Sequence, residues 1–310
     1  MLTVRDLSRS FGSLKAVDAI SFTVKPGEVY GLLGPNGAGK TTTISCICGL
    51  LKPDAGAIEL DGVALVHDPI AFKSLIGIVP QETALYGDLN ARENLSFWGG
   101  LAGLRGRALD ARIAAALHAV GLEDRAREAV RKYSGGMKRR LNLAAGMIHE
   151  PHLLLLDEPT AGIDPQARLN ILEIVRGVAA AGTMVLYTTH YLEEAQDLCH
   201  RIGIMDHGHL LAEGTLAELK TVVGEGEVLT LGGSFPADRM QAAIANDARV
   251  RVIALADGQA VLDIGSDRKE SAALLTRLLG RSDLGIEGVS IQPPSLQSLF
   301  LKLTGRELRD

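Results

Sequence analysis

The octapeptide Gly34-Pro-Asn-Gly-Ala-Gly-Lys40-Thr41 constrains this chain more than any other stretch. It fits the pattern G-x-x-x-x-G-K-[ST]. The apolar run from Glu28 to Leu33 precedes it, and TISCICGLL, a stretch of helical length ending before Lys52-Pro53, follows it. That context is a strand, a glycine-rich loop and a helix. The glycines let backbone N–H groups turn inward, and the helix start adds its positive end and unpaired amides at the same point. Such a loop suits the phosphates of a nucleotide. In this reading Gly34, Pro35, Asn36, Gly37, Ala38, Gly39, Lys40, Thr41 and Thr42 form the cradle. Lys40 neutralises the β and γ oxygens of ATP, and Thr41 offers a hydroxyl to Mg²⁺, a cation that prefers hard oxygen ligands. The plain alternative is a glycine-rich turn that binds nothing.

A second motif lies in LLLLDEP. Asp157 closes an apolar run, where an acid is costly unless it faces a cation, so it is a candidate Mg²⁺ contact through water. Glu158 beside it is placed to orient and deprotonate an attacking water, which is what phosphoryl transfer asks of a protein. A solvated pair of acids in a turn is the alternative reading. The apolar runs LLLLD (153–157) and TMVLYTT (183–189) are separated by a helix beginning near Pro165. Continuous apolar strands alternating with helices predict buried parallel strands in an α/β core.

Around that core the character changes. Residues Leu2–Val24 read as short β runs turning at Phe11-Gly12-Ser13, an antiparallel start. Asn90–Arg140 is helical in pattern, an inserted helical subdomain. From about Thr215 the order EVLTL, a helix from Pro236, ARVRVIAL, QAVLDI, a helix from Arg268, GVSIQ and a last helix near Ser295 is the β-α-β-β-α-β arrangement of a ferredoxin-like domain. The predicted division is an ATPase domain over 1–220, with its helical part at about 90–140, and a small α+β domain over 221–310.

Composition excludes several classes. Hydrophobic residues at 46% and charged residues at 22% predict a folded globular chain. A net charge of -5 gives no global basic field, so nucleic acid is not an expected partner. Cys46, Cys48 and Cys199 are too few and too badly spaced for a disulfide framework or zinc cage, and read as small buried hydrophobes in a reducing cytoplasm. No run approaches the ~18 apolar residues of a spanning helix, and MLTVRDLSRSFG lacks the apolar stretch of a secretory signal. Of the eight histidines, His149, His152, His207 and His209 read as surface residues.

With those two motifs placed, Tyr133-Ser134-Gly135-Gly136-Met137 resembles the LSGGQ signature of ABC ATPases, upstream of the Asp-Glu pair as in that family. Gln81 in GIVPQ resembles the Q-loop, Ala161-Gly162-Ile163-Asp164 the D-loop and His190 in TTH the switch histidine. The resemblance covers residues 2 to 220 in unbroken motif order. It implies an α/β P-loop NTPase of ABC type, with a mixed sheet, an antiparallel N-terminal β part and an inserted α-helical subdomain, plus the small C-terminal α+β domain. It implies that Phe11 stacks on adenine, against the alternative of core or surface filler. It implies that Gln81 contacts Mg²⁺ and water, against a plain polar turn, and that Lys40, Gln81, Glu158 and His190 serve catalysis.

The family likeness further implies that Tyr133–Met137, with Ser134 and Gly136 at a second anion-binding helix start, caps the nucleotide of a second copy in a head-to-tail homodimer to which Asp164 also contributes. Tyr133 and Met137 depart from the common Leu and Gln. The YSGGMKRR form and the ending FLKLTGRELRD resemble the ABC-2 export group, including drug and antibiotic efflux subunits. The implied partner is an integral membrane permease, and the implied place is the cytoplasmic face of the cell membrane. Import stays open beside export, as does a soluble mechanochemical ABC ATPase, whose relatives carry tandem cassettes or long coiled-coil insertions. A small-molecule kinase has no use for the Ser134 motif. The C-terminal domain can sense a ligand, join protomers or cover the core.

Overall fold

In the computed structural model the chain begins with β1 (Leu2–Phe11) and β2 (Leu14–Val24), an antiparallel hairpin turning at Gly12, whose φ is +61°. All residues are described except 224–226, 246, 248–249, 265–267, 293–294 and 305–310, so the last six residues of the FLKLTGRELRD ending lie outside the described residues. β3 (Val29–Leu33) is buried at every position and runs into α1 (Lys40–Ile47). The helix stops sooner than TISCICGLL suggests. Gly49, at φ +68°, donates to Cys46 O at 3.1 Å, and Leu50 N–H donates to Ser45 O at 2.9 Å. This is a Schellman stop, and glycine adopts its left-handed residue without strain. β4 (Ala55–Leu60) and β5 (Val63–Ala64) extend the first sheet in the order β2-β1-β4-β5.

After α2 (Pro69–Ser74) and β6 (Ile76–Val79) comes the helical part, α3 (Ala91–Leu101), α4 (Gly106–Ala119) and α5 (Gly135–Gly146). It has its own apolar cluster, which includes Leu95, Leu117, Val130, Leu141 and Ile148. Asn90 and Glu93 close a reciprocal capping box at the start of α3. The chain then returns through β7 (Leu153–Asp157), α6 (Pro165–Ala180), β8 (Met184–Thr189), α7 (Leu192–Leu198), β9 (Arg201–Asp206) and β10 (His209–Gly214).

These strands make a six-stranded sheet ordered β10-β9-β3-β8-β7-β6. β6, β7, β8, β3 and β9 run parallel, with Val79 beside Leu156, Asp157 beside Thr188 and Leu33 beside Thr189. The sequence explains why: LLLLD and MVLYTT are buried at every residue, as two covered faces require. One face packs on α1 and the N-terminal sheet through Leu32, Ile44, Ile47, Leu155 and Leu186. The other packs on α6 through Leu154, Leu156, Ile171 and Val175. Parallel alignment brings the carboxyl ends of β3, β7 and β8 to one edge.

The chain divides into compact units at Met1–Leu211 and Ala212–Asp310. The second holds α8 (Leu216–Val223), β11 (Val228–Gly233), α9 (Ala237–Ile244), β12 (Arg251–Ala256), β13 (Gln259–Asp263), α10 (Arg268–Leu279), β14 (Ile286–Gln292) and α11 (Leu296–Thr304). Its sheet is ordered β12-β13-β11-β14, antiparallel throughout. That places β13 between the two strands joined by α9, a split β-α-β connection. Leu229, Leu231, Phe235, Met240, Leu262 and Leu278 form its core.

Candidate nucleotide site

Backbone geometry at the end of β3 leaves room only for glycine at two loop positions. A Cβ on Gly34 would lie 2.2 Å from Met205 O, and one on Gly39, whose φ is +105°, would lie 2.3 Å from Ala16 O. Gly37 also needs a left-handed backbone, at φ +82°, but has open space around it. Gly34 N–H donates to Thr189 O at 3.2 Å and Gly208 N–H to Ala38 O at 3.0 Å, so both flanking segments hold the loop. Helix α1 starts at Lys40, directly after the loop.

Lys40 is 4% exposed and its ammonium is fully engaged. Nζ donates to Gly34 O at 2.7 Å and Pro35 O at 3.0 Å, and it pairs with Glu158 Oε1 at 3.0 Å. Glu158 faces His190 Nδ1 through its other oxygen at 3.1 Å. The separation suits a hydrogen bond but its direction does not, and Nδ1 has no hydrogen-bond partner among the described residues. Burial alone would raise the Glu158 pKa. The Lys40 ammonium, then His190, outweigh that and hold the carboxyl below its ordinary value, so it is ionised at neutral pH. Its φ of +44° is unusual for a non-glycine residue. Thr188 Oγ1 accepts from Glu158 N–H at 3.0 Å and fixes that turn.

Asp157 is buried and accepts from Thr41 Oγ1 at 3.2 Å and Thr188 Oγ1 at 2.8 Å. Its carboxylate makes no ion pair with any Lys, Arg or His among the described residues. A buried acid with hydroxyl partners only is a hard-oxygen set suited to a divalent cation, and Thr41 and Asp157 are the residues that can hold Mg²⁺. Gln81 leaves β6 at the same sheet edge with an exposed side chain. Its carbonyl accepts from Arg139 Nη1. Phe11 is 46% exposed, with the Arg9 guanidinium 5.0 Å from its ring centre. It pairs with Leu14, two residues before Ala16, which touches the loop at Gly39.

The second motif stands apart. Ser134 caps α5, its Oγ accepting from Met137 N–H at 3.2 Å, and Ser134 and Gly135 are exposed. Among the described residues no hydrogen bond or ion pair joins 134–137 to 34–42. A Cβ on Gly136 would come within 2.7 Å of Ala167 Cβ. Asp164, exposed, caps α6 by accepting from Ala167 N–H at 2.9 Å, so this motif and the D-loop segment meet at one residue. The resemblance implies nucleotide contacts at Tyr133 and Met137, and in this chain both side chains turn toward the helical cluster. Tyr133 is buried with its hydroxyl on Arg125 O at 2.6 Å, and Met137 packs against the same helical cluster. The Tyr133 side chain is thereby enclosed, while that of Met137 stays partly exposed.

Other placements differ from the sequence reading. His149 is partly buried, with Nε2 3.0 Å from Ile76 O, and burial lowers its pKa; it is no simple surface residue. His152, His207 and His209 are exposed. Cys46 and Cys48 are buried, and burial pushes the Cys46 thiol up to about 11. Sequence reasoning missed Arg139, which is buried and donates to Pro80 O and Ala161 O at 3.3 Å each as well as to Gln81 O. It ties α5 to the Gln81 and Ala161 segments. Five residues past Ser134, in a run KRR that reads as solvated charge, it gave no signal.

A glycine loop from strand to helix, facing a buried acid pair on another strand of the same parallel sheet, defines a P-loop nucleoside triphosphatase. The ABC transporter family pattern matches residues 17–161. The chain is 42% identical to the linearmycin resistance ATP-binding protein of Bacillus subtilis (strain 168), over 100% of both chains. It is 40% identical to the daunorubicin resistance ATP-binding protein of Streptomyces coeruleorubidus, over 99% of this chain and 97% of that one. A solved ATP-binding subunit of an ABC transporter superposes with TM-score 0.66 at 32% identity, covering 72% of this chain and 93% of that chain. The chain belongs to the ATP-binding proteins of ABC transporters, and it is an ATPase. No helix among the described residues is long and apolar enough to cross a membrane.

Proposed function

We propose that two copies of this chain hold MgATP between them and drive export of a drug or other hydrophobic compound through a separate membrane-spanning subunit. The observation that carries this reading is the pair of helix starts in one chain: a loop built around buried Lys40, and a Ser134–Gly136 start, exposed at Ser134 and Gly135, that no hydrogen bond or ion pair joins to that loop among the described residues. Two such termini facing one triphosphate need two molecules, each giving its loop to one site and its Ser134 segment to the other. Asp164, beside the second terminus, reaches the shared interface.

Lys40 exchanges Glu158 for phosphate oxygens as ATP enters. Glu158 is then free to orient the attacking water and take its proton, with His190 holding the other side of the carboxylate and Gln81 closing the site from β6. Thr41 and Asp157, with Gln81 nearby, would hold Mg²⁺, which would supply neutralisation of the phosphate charge. Phe11 offers its exposed ring to adenine. Met1–Leu211 carries this chemistry, and the α+β unit after it is an accessory domain. The membrane partner places the complex on the cytoplasmic face. Two whole-length relatives are named for resistance to antibiotics, which supports export and supports a drug-like cargo.

The test is co-purification with the membrane protein encoded beside this chain, followed by ATPase assay with and without it. A stable complex with altered turnover is expected. A chain that captures no membrane protein and hydrolyses ATP at one rate regardless would overturn the transport reading.

A further inference from the structure

Four residues beyond His190 lies a buried carboxylate that none of the motifs explains. Glu194, in the first turn of α7, is 1% exposed. Its Oε1 accepts from Thr160 Oγ1 at 2.6 Å, and its Oε2 accepts from Tyr187 OH at 2.9 Å and Thr189 Oγ1 at 2.8 Å. Arg168 Nε lies 3.4 Å from Oε1, a charge contact without hydrogen-bond direction. These partners come from three separate segments. Thr160 is two residues past Glu158, and Thr189 immediately precedes His190. Arg168 is on the first turns of α6, four residues past Asp164, and its guanidinium stacks 4.4 Å from the Tyr191 ring centre. Tyr191 in turn donates its N–H to Thr189 Oγ1 at 2.9 Å and lies against the His190 ring.

A charge removed from water this completely is expensive, and the same space would take a leucine-sized side chain more cheaply. What the carboxylate offers in return is three directed hydrogen bonds and one charge contact converging on one point. Each contact fixes a chain that carries a group facing the phosphate site or the partner copy. We infer that Glu194 is a positioning residue for hydrolysis: it sets the spacing of Glu158 and His190 and ties that pair to the start of α6. It touches neither nucleotide nor water itself. The inference rests on Glu158 and His190 serving hydrolysis as proposed above.

Three near-isosteric variants of the full chain test it. Glu194→Gln removes the charge and one acceptor; Thr160→Val and Thr189→Val each cut one arm to the carboxylate while leaving it in place, the second also removing the acceptor of the Tyr191 N–H. The expected result is a kcat lowered about tenfold or more in Glu194→Gln and about three- to tenfold in each threonine variant, with KM for ATP unchanged within twofold. A fold-stabilising residue alone would not split kcat from KM. A double-mutant cycle sharpens the point: in a His190→Ala background, Thr189→Val should lower kcat little further, because the arm acts through His190. Folded variants with kcat within twofold of the parent, or fully additive losses in the His190→Ala background, overturn the inference. If Glu194→Gln does not fold, the two threonine variants decide. Glu158→Gln is measured alongside: its inactivity with unaffected threonine variants sinks the positioning role alone, whereas its normal turnover sinks the catalytic reading on which that role rests.

Discussion

Replacing Glu158 with Gln separates two roles that the geometry assigns to one carboxylate. Its Oε1 lies 3.0 Å from Lys40 Nζ, with both side chains less than a tenth exposed. Two unit charges at that distance attract by about 5 kcal/mol at an effective dielectric near 20. Desolvation offsets part of this, and losing one member of a buried pair costs about 3 kcal/mol once the stranded charge is counted. For a unit of this size that is a fall of about 6–12 °C in the nucleotide-free Tm. Lys40 keeps its two carbonyl partners but is no longer held by an anion. ATP then need not displace a carboxylate, so its Kd should tighten about tenfold, equal to about 1.4 kcal/mol. Hydrolysis should slow by about 10² or more, since the amide cannot accept the water's proton. Melting curves with and without ATP, nucleotide titration and single-turnover hydrolysis read the three effects separately. Unchanged melting and affinity would refute the Lys40–Glu158 pair, and near-normal turnover would refute the catalytic assignment. The sign with pH is also fixed. A carboxyl whose folded pKa is depressed stabilises above its ordinary value of 4.5 and loses that stabilisation as pH falls through the lower folded value, so parent and variant should converge in stability in acid.

Gly39→Ala should abolish nucleotide binding in a titration and cost about 2 kcal/mol or more in denaturant unfolding, because φ +105° is strained for alanine and its Cβ meets Ala16 O; a tolerated alanine would refute the tight loop. Arg139→Met should lose about 2–4 kcal/mol, and Arg139→Lys should not recover it, because an ammonium cannot fork to Pro80, Gln81 and Ala161 carbonyls together. His149 has a folded pKa below its ordinary 6.5, so the unfolded chain binds more protons and stability should fall as pH drops through that value. His149→Gln should flatten this part of the pH–stability curve, and an unchanged slope would place the titration elsewhere.

What the sequence revealed best was whatever is local. The phosphate loop, LLLLD and the Asp164-Pro165 helix start carry their structural reasons within a few residues: glycines at forced backbone angles, an unbroken apolar run, a cap followed by proline. The end of α1 was equally local, since Gly49 announces it, yet the apolar run ICGLL masks the stop. Side-chain environments set by distant strands were not legible. His149 is half-covered because β6 places Ile76 O over it, and nothing in GMIHEPH says so. Thr188, Arg139 and Glu194 read as ordinary strand or helix polar residues. Their partners lie 22 to 59 residues away for Arg139 and on three segments for Glu194, so only tertiary structure gives them meaning.

The central claim is that one triphosphate is gripped by two helix starts belonging to two molecules. A crystal structure of Glu158→Gln with ATP and magnesium tests it directly. The account expects a two-fold assembly in which the amides of Gly37–Lys40 and the partner's Ser134 contact the same nucleotide. A nucleotide bound at Lys40 with no Ser134 segment of any neighbouring molecule near it would contradict the account.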